Sequence, residues 1–103
     1  MELKNNEIGT LTISEKAFAD IAAIACSNVK NIYPTKKDSD YVEVKLNKDN
    51  KPTFKISIRV KQGIDIVKTC NKLQDEIREN VLLMTGVDCK KIDIDIQGFE
   101  GNK

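Results

Sequence analysis

The chain has no histidine and no tryptophan, and aromatic residues make up 5% of its 103 positions. Without histidine it lacks the commonest general base and the usual partner of a nucleophilic serine or cysteine. No other group converges to replace it, so no catalytic residue is expected. Cys26, Cys70 and Cys89 are widely and irregularly spaced, with no Cys-x-x-Cys. A structural zinc site needs four closely organised Cys or His ligands. The three cysteines therefore read as free thiols of a reducing compartment. No metal or cofactor is expected. Gly-x-Gly-x-x-Gly and Walker-type loops are absent, which excludes those phosphate cradles.

Long apolar runs are missing too. Nothing approaches the roughly eighteen residues of a membrane helix, and residues 1–8 lack the apolar centre of a signal peptide. The expectation is an untargeted cytoplasmic protein with no direct membrane insertion. Charge of one sign is also absent: 17 Lys and Arg face 16 Asp and Glu, a net charge of +1. Such a chain has no global attraction for nucleic acid or anionic lipid, and any such contact needs a local patch.

What is present fits one soluble domain with a single core. Residues 1–8 read as a flexible N-terminal segment, 9–99 as the domain and 100–103 as a flexible tail. Gly9-Thr10-Leu11-Thr12-Ile13 alternates like a short strand. Ser14 is an N-cap, Glu15 suits the positive helix end, and Phe18, Ile21, Ala22, Ala25 and Val29 form one helical face. That helix fades near Lys30, where Asn31 tolerates a left-handed conformation. Ile32 to Asp40, with Pro34 and a polar cluster, reads as a surface loop.

Val42, Val44 and Leu46 then alternate inward. After a polar turn, Phe54, Ile56, Ile58 and Val60 do the same, with Pro52 at the turn edge. These two strands make an antiparallel hairpin. Asp65 caps a second helix of roughly 20 residues, about 30 Å long. Its inner stripe is Ile66, Cys70, Leu73, Ile77, Val81 and Met84, and Gly86 ends it at C′. Lys72/Glu76 and Asp75/Arg78 are spaced to interact on its outer face. The last strand turns Ile92, Ile94 and Ile96 inward and Asp93 and Asp95 outward. The fold expected is α+β: a β-α-β-β-α-β two-layer sandwich of ferredoxin-like type. One mixed or antiparallel four-stranded sheet carries two helices on one face.

The open sheet face then shows Thr10, Thr12, Glu43, Lys45, Lys55, Ser57, Arg59, Lys61, Asp93 and Asp95. RNA-recognition sheets stack bases on exposed aromatics, but Phe54 points inward and Tyr41 sits at a strand end. Lys45, Lys55, Arg59 and Lys61 could line up as a basic stripe for phosphate or an acidic protein. The plainer reading is a wet face kept charged. Asp93 and Asp95 share that face, and without further acids they read as partners for neighbouring lysines rather than a cation site. These six residues are the candidate interaction face.

Several segments together resemble the bacterial alkaline shock protein family, also called the Gls-type general stress proteins. They are the opening Gly9-Thr10-Leu11-Thr12-Ile13-Ser14, the helical Ala22-Ala23-Ile24-Ala25, then Gly63-Ile64-Asp65-Ile66, Met84-Thr85-Gly86 and Ile92-Asp93-Ile94-Asp95-Ile96-Gln97-Gly98-Phe99. Met-Thr-Gly with the strand after it is the most specific part. The chain departs from the family's habit at Lys30-Asn31-Ile32-Tyr33-Pro34, where small residues are common, and at Val67, where proline is common. The resemblance implies a non-enzymatic cytoplasmic interaction or scaffold protein tied to cell-envelope homeostasis or general stress. It would act as a homo-oligomer, or dock to a membrane-anchored protein and so lie near the membrane. The resemblance supplies no catalytic residues. The alternative expectation is a nucleic-acid or anionic-ligand module using the basic stripe.

Overall fold

The computed structural model describes residues 13–101. Helix α1 spans Glu15–Ser27, strand β1 Ile32–Pro34, β2 Val42–Leu46, β3 Pro52–Lys61, helix α2 Ile66–Thr85 and β4 Lys91–Glu100. The expected strand at Gly9–Ile13 falls almost wholly outside the described residues. Ile13 itself is not in a strand, but it packs against the core.

Each helix forms where local chemistry directs it. The Ser14 hydroxyl accepts from the Ala17 N–H at 3.0 Å, and the Asp65 carboxylate accepts from Lys68 N–H at 3.1 Å. At the far end of α2, Gly86 takes φ 74° and donates to the Leu82 carbonyl at 2.8 Å. The Thr85 hydroxyl donates to the Val81 carbonyl at 2.7 Å and accepts from the Val87 N–H at 3.1 Å. Met-Thr-Gly is thus a helix stop: the threonine satisfies groups on both sides of the boundary, and the glycine supplies the left-handed residue.

β3 is the centre of a mixed four-stranded sheet. On one side it pairs antiparallel with β2, Val42 opposite Ile56, and with β1, Ile32 opposite Val60. On the other it pairs parallel with β4, Phe54 beside Ile92. The α+β sandwich with a mixed sheet is as the sequence leads one to expect, but a ferredoxin-like strand order is not found. That arrangement splits its β-α-β units with an intervening strand, whereas β4 lies directly beside β3. The expected loop at 32–40 also needs correction. Its first three residues are β1, and β1 and β2 act as one interrupted edge strand. At the break, Ser57 donates its N–H to the Tyr41 carbonyl at 3.0 Å, and its own carbonyl accepts from the Thr35 hydroxyl at 2.9 Å. The excursion between them is tied to α1 by the Ser39 hydroxyl, which donates to the Asp20 carboxylate at 2.9 Å.

Both helices cover the same sheet face. Phe54, Ile56, Ile58 and Val60 of β3 are buried with Phe18, Ala22 and Ala25 of α1 and Leu73, Ile77 and Val81 of α2. Phe18 meets Phe54 edge to face, ring centroids 6.3 Å apart. The alanines let α1 lie close. Ile94 and Ile96 pack against this core but are only partly buried. The inner stripe of α2 is shorter than its apolar spacing suggests. Ile66 and Met84 are exposed, because the 20-residue helix runs past the core at both ends. The pairs Lys72/Glu76 and Asp75/Arg78 form no ion pair among the described residues, whereas Lys16 and Asp20 on α1 do, at 3.1 Å. β4 continues through Glu100, one residue into the expected tail.

Ile77 is fully buried and Leu83 is 79% exposed on the same helix. In urea unfolding, Ile77→Ala is expected to cost about 2–5 kcal/mol. Leu83→Ala should stay within about 0.5 kcal/mol. Equal losses would show that α2 presents a different face to the sheet.

Candidate functional site

The outer face of the sheet is built by strand parity. With Phe54, Ile56, Ile58 and Val60 turned to the helices, Thr53, Lys55, Ser57, Arg59 and Lys61 must face the other way. The register places their neighbours. Lys55 lies between Glu43 of β2 and Asp93 of β4, Ser57 lies beside Asp95, and Lys61 beside Glu100. Lys45 sits opposite Thr53, which also neighbours Lys91. A shallow depression of about 240 Å³ lies among Glu43, Lys45, Thr53, Lys55 and Asp93.

All six sequence candidates, Lys45, Lys55, Arg59, Lys61, Asp93 and Asp95, therefore share this face. They do not form a basic stripe. Acids from the flanking strands interrupt the cations, and Arg59 Nε meets Glu100 Oε2 at 3.0 Å. Asp93 lies 3.8 Å from Lys91 Nζ, and Asp95 accepts from Gln97 Nε2 at 2.6 Å. Glu100 and Lys91 are the members that sequence reading missed. No local pattern signalled Glu100, because strict alternation from Asp93 and Asp95 turns it inward. A register shift at Ile58/Arg59 passes over Gln97, so Gly98 faces Arg59 and Glu100 returns to the outer face. A methyl group on Gly98 would touch Arg59 Nε at 3.9 Å, an ordinary contact. The surface is a two-signed mosaic and lacks the single-sign field that steers polyanions.

The thiols offer no activated nucleophile. Burial pushes the Cys26 thiol up to about 11, with the neighbouring Tyr41 hydroxyl only partly offsetting it. Tyr41 itself is raised far above the usual phenol range, first by burial and then by Cys26. The two line a cavity of about 160 Å³ with Ser27, Val29, Ile32 and Pro34. Burial also raises Cys70, and it raises Cys89 against the opposing pull of Arg78. Thiolate chemistry needs the reverse shift. Among the described residues, no group of three or more His, Cys, Asp or Glu gathers in metal-binding fashion. No described helix is long and apolar enough to cross a membrane.

The geometry is thus a two-layer domain with a charged open face and a helix stop that joins α2 to β4. A family model matches residues 34–100, which takes in β2, β3, α2 and β4 but not α1, and its description is a cell envelope-related function. The chain belongs to the alkaline shock protein 23 family. That match spans nearly two-thirds of the chain, from the last residue of β1 to the last of β4. No curated protein and no solved structure matches the chain.

The buried thiol carries a pH consequence. Cys26 is neutral in both folded and unfolded chains below the ordinary thiol value of 9.0, and stays neutral in the folded chain up to about 11. Between those values the unfolded chain releases a proton that the folded chain keeps, so stability falls as pH rises. Denaturation midpoints are expected to drop across pH 9–11, more steeply in the parent than in Cys26→Ala. Parallel curves for the two proteins would contradict the burial of this thiol.

Proposed function

We propose that the domain is a non-enzymatic interaction module serving the cell envelope, working through its outer sheet face. Membership of the alkaline shock protein 23 family is the observation that carries this reading, because its described function is envelope-related. The face supports it. A flat surface with both signs of charge suits a protein partner of complementary pattern, since alternating charges set register and reject mismatched partners. The same surface can pair with a second copy of itself, where lysine rows meet acid rows. A homo-oligomer and a complex with a membrane-anchored protein are the two forms this association takes. The second would hold the domain near the membrane without inserting it.

Sedimentation over a concentration series, alone and with solubilised envelope membranes, tests the reading. The parent should form a dimer or larger species, or enter a complex with a membrane protein. Either association should weaken with added salt. The double variant Lys55→Gln, Arg59→Gln should lose that association while costing the fold no more than about 1 kcal/mol, because the charge neighbours it gives up, Glu43, Asp93 and Glu100, are exposed surface partners. A strict monomer that enters no complex, or an association indifferent to the double variant, would overturn the proposal.

A further inference from the structure

A second charged surface lies in the helical layer, away from the outer sheet face. Where α1 ends, the chain passes through Asn28, Lys30 and Asn31 alongside the first turns of α2. These residues line a cleft of about 330 Å³ together with Lys68, Thr69 and Lys72. Its size is at the lower end of small-ligand sites. Three of the lining residues are lysines, one from the segment after α1 and two from α2, and none belongs to an ion pair among the described residues. The lining has no carboxylate. The nearest acids in chain order are Asp65 and Asp75, each three residues from a lining lysine; the Asp65 carboxylate is engaged as the N-cap of α2 by the Lys68 N–H, and Asp75 forms no ion pair among the described residues. Glu76, one turn beyond Lys72, makes no ion pair with it.

The helix ends decide little. The carbonyl end of α1 and the amide end of α2 both border this cleft, so their partial charges, about half a unit each and opposite, offset one another. The lysines set the sign. Asn28, Asn31 and Thr69 add neutral hydrogen-bonding groups beside them. The backbone at Asn31 is held in the left-handed region at φ 71°, and its carbonyl accepts from Lys61 N–H at 2.9 Å, which anchors this wall to the end of β3. Compact cations around a cleft of mixed polar and apolar lining, Val29 included, match an anion with several oxygens, because an ammonium binds phosphate as a point charge without needing bidentate geometry.

We propose that this cleft binds a phosphate group, with Lys30, Lys68 and Lys72 as its cationic ligands. The site is independent of the interaction role assigned to the sheet face. Free phosphate compounds and lipid headgroups carry the same chemistry, so the test separates them. Amide ¹H–¹⁵N spectra of the full chain are recorded against inorganic pyrophosphate, and flotation is measured with phosphatidylcholine vesicles with and without phosphatidic acid. Saturable shifts at Asn31, Lys68, Thr69 and Lys72 with pyrophosphate support a soluble ligand. Flotation only with phosphatidic acid supports a headgroup.

In either case Lys68→Glu should weaken binding roughly tenfold at low salt, from charge reversal at an exposed position. Lys51→Glu in the β2–β3 turn should not. The first variant places an acid in the first turn of α2, where the dipole favours it, so its fold is preserved. Absence of both responses, or equal weakening by Lys51→Glu, overturns the proposal.

Discussion

The structure depends on one strand being buried on one face only. β3 carries Phe54, Ile56, Ile58 and Val60 at alternate positions, and each is buried. It is also the only strand through which the other three described strands are joined. The same ten residues therefore supply the floor of the core and hold the sheet together. Burying four large side chains gives on the order of 1.5–3 kcal/mol each before chain entropy opposes it. The pleat then fixes which charged residues share the outer face. If the even positions must be dry, Lys55, Arg59 and Lys61 must be wet, and a one-residue slip would reverse both sets. Core and candidate site are two readings of one register.

Elements specified by near neighbours were legible in the sequence. The hairpin follows from alternation on both sides of a polar turn. Both helix starts follow from Ser14 and Asp65, and the end of α2 from Gly86. Features set by distant pairing were hidden. β1 is only Ile32–Pro34, too short to show alternation, and its proline and polar neighbours look like a loop. It is a strand because the far half of β3 offers it a partner. Strand order was hidden for the same reason, since the alternation of Ile92, Ile94 and Ile96 is the same beside β3 or one strand away. Ile66 and Met84 fit the stripe of α2 yet lie beyond the core, because periodicity says which side a residue faces and not where the sheet ends.

The candidate site shows the same division. Its cations and Asp93 and Asp95 were found by parity alone, but their meaning depends on register. Lys55 beside Glu43 and Asp93, and Arg59 against Glu100, turn an apparent stripe into a mosaic. The lysine cleft was equally hidden. Lys30 follows the first helix while Lys68 and Lys72 belong to the wet side of the second, and only helix packing brings them together. Family membership ties this frame to the cell envelope. The buried Cys26 and the half-buried Cys70 and Cys89 are all shifted toward the protonated thiol.

Amide hydrogen exchange under native conditions tests the central role of β3 most directly. The account predicts that the slowest amides of the chain are those of Phe54 to Val60, exchanging only with global unfolding, while β1 and the ends of α2 exchange by local opening. β3 amides exchanging as fast as those of β1 would contradict it, and with it the register that places every charge on the outer face.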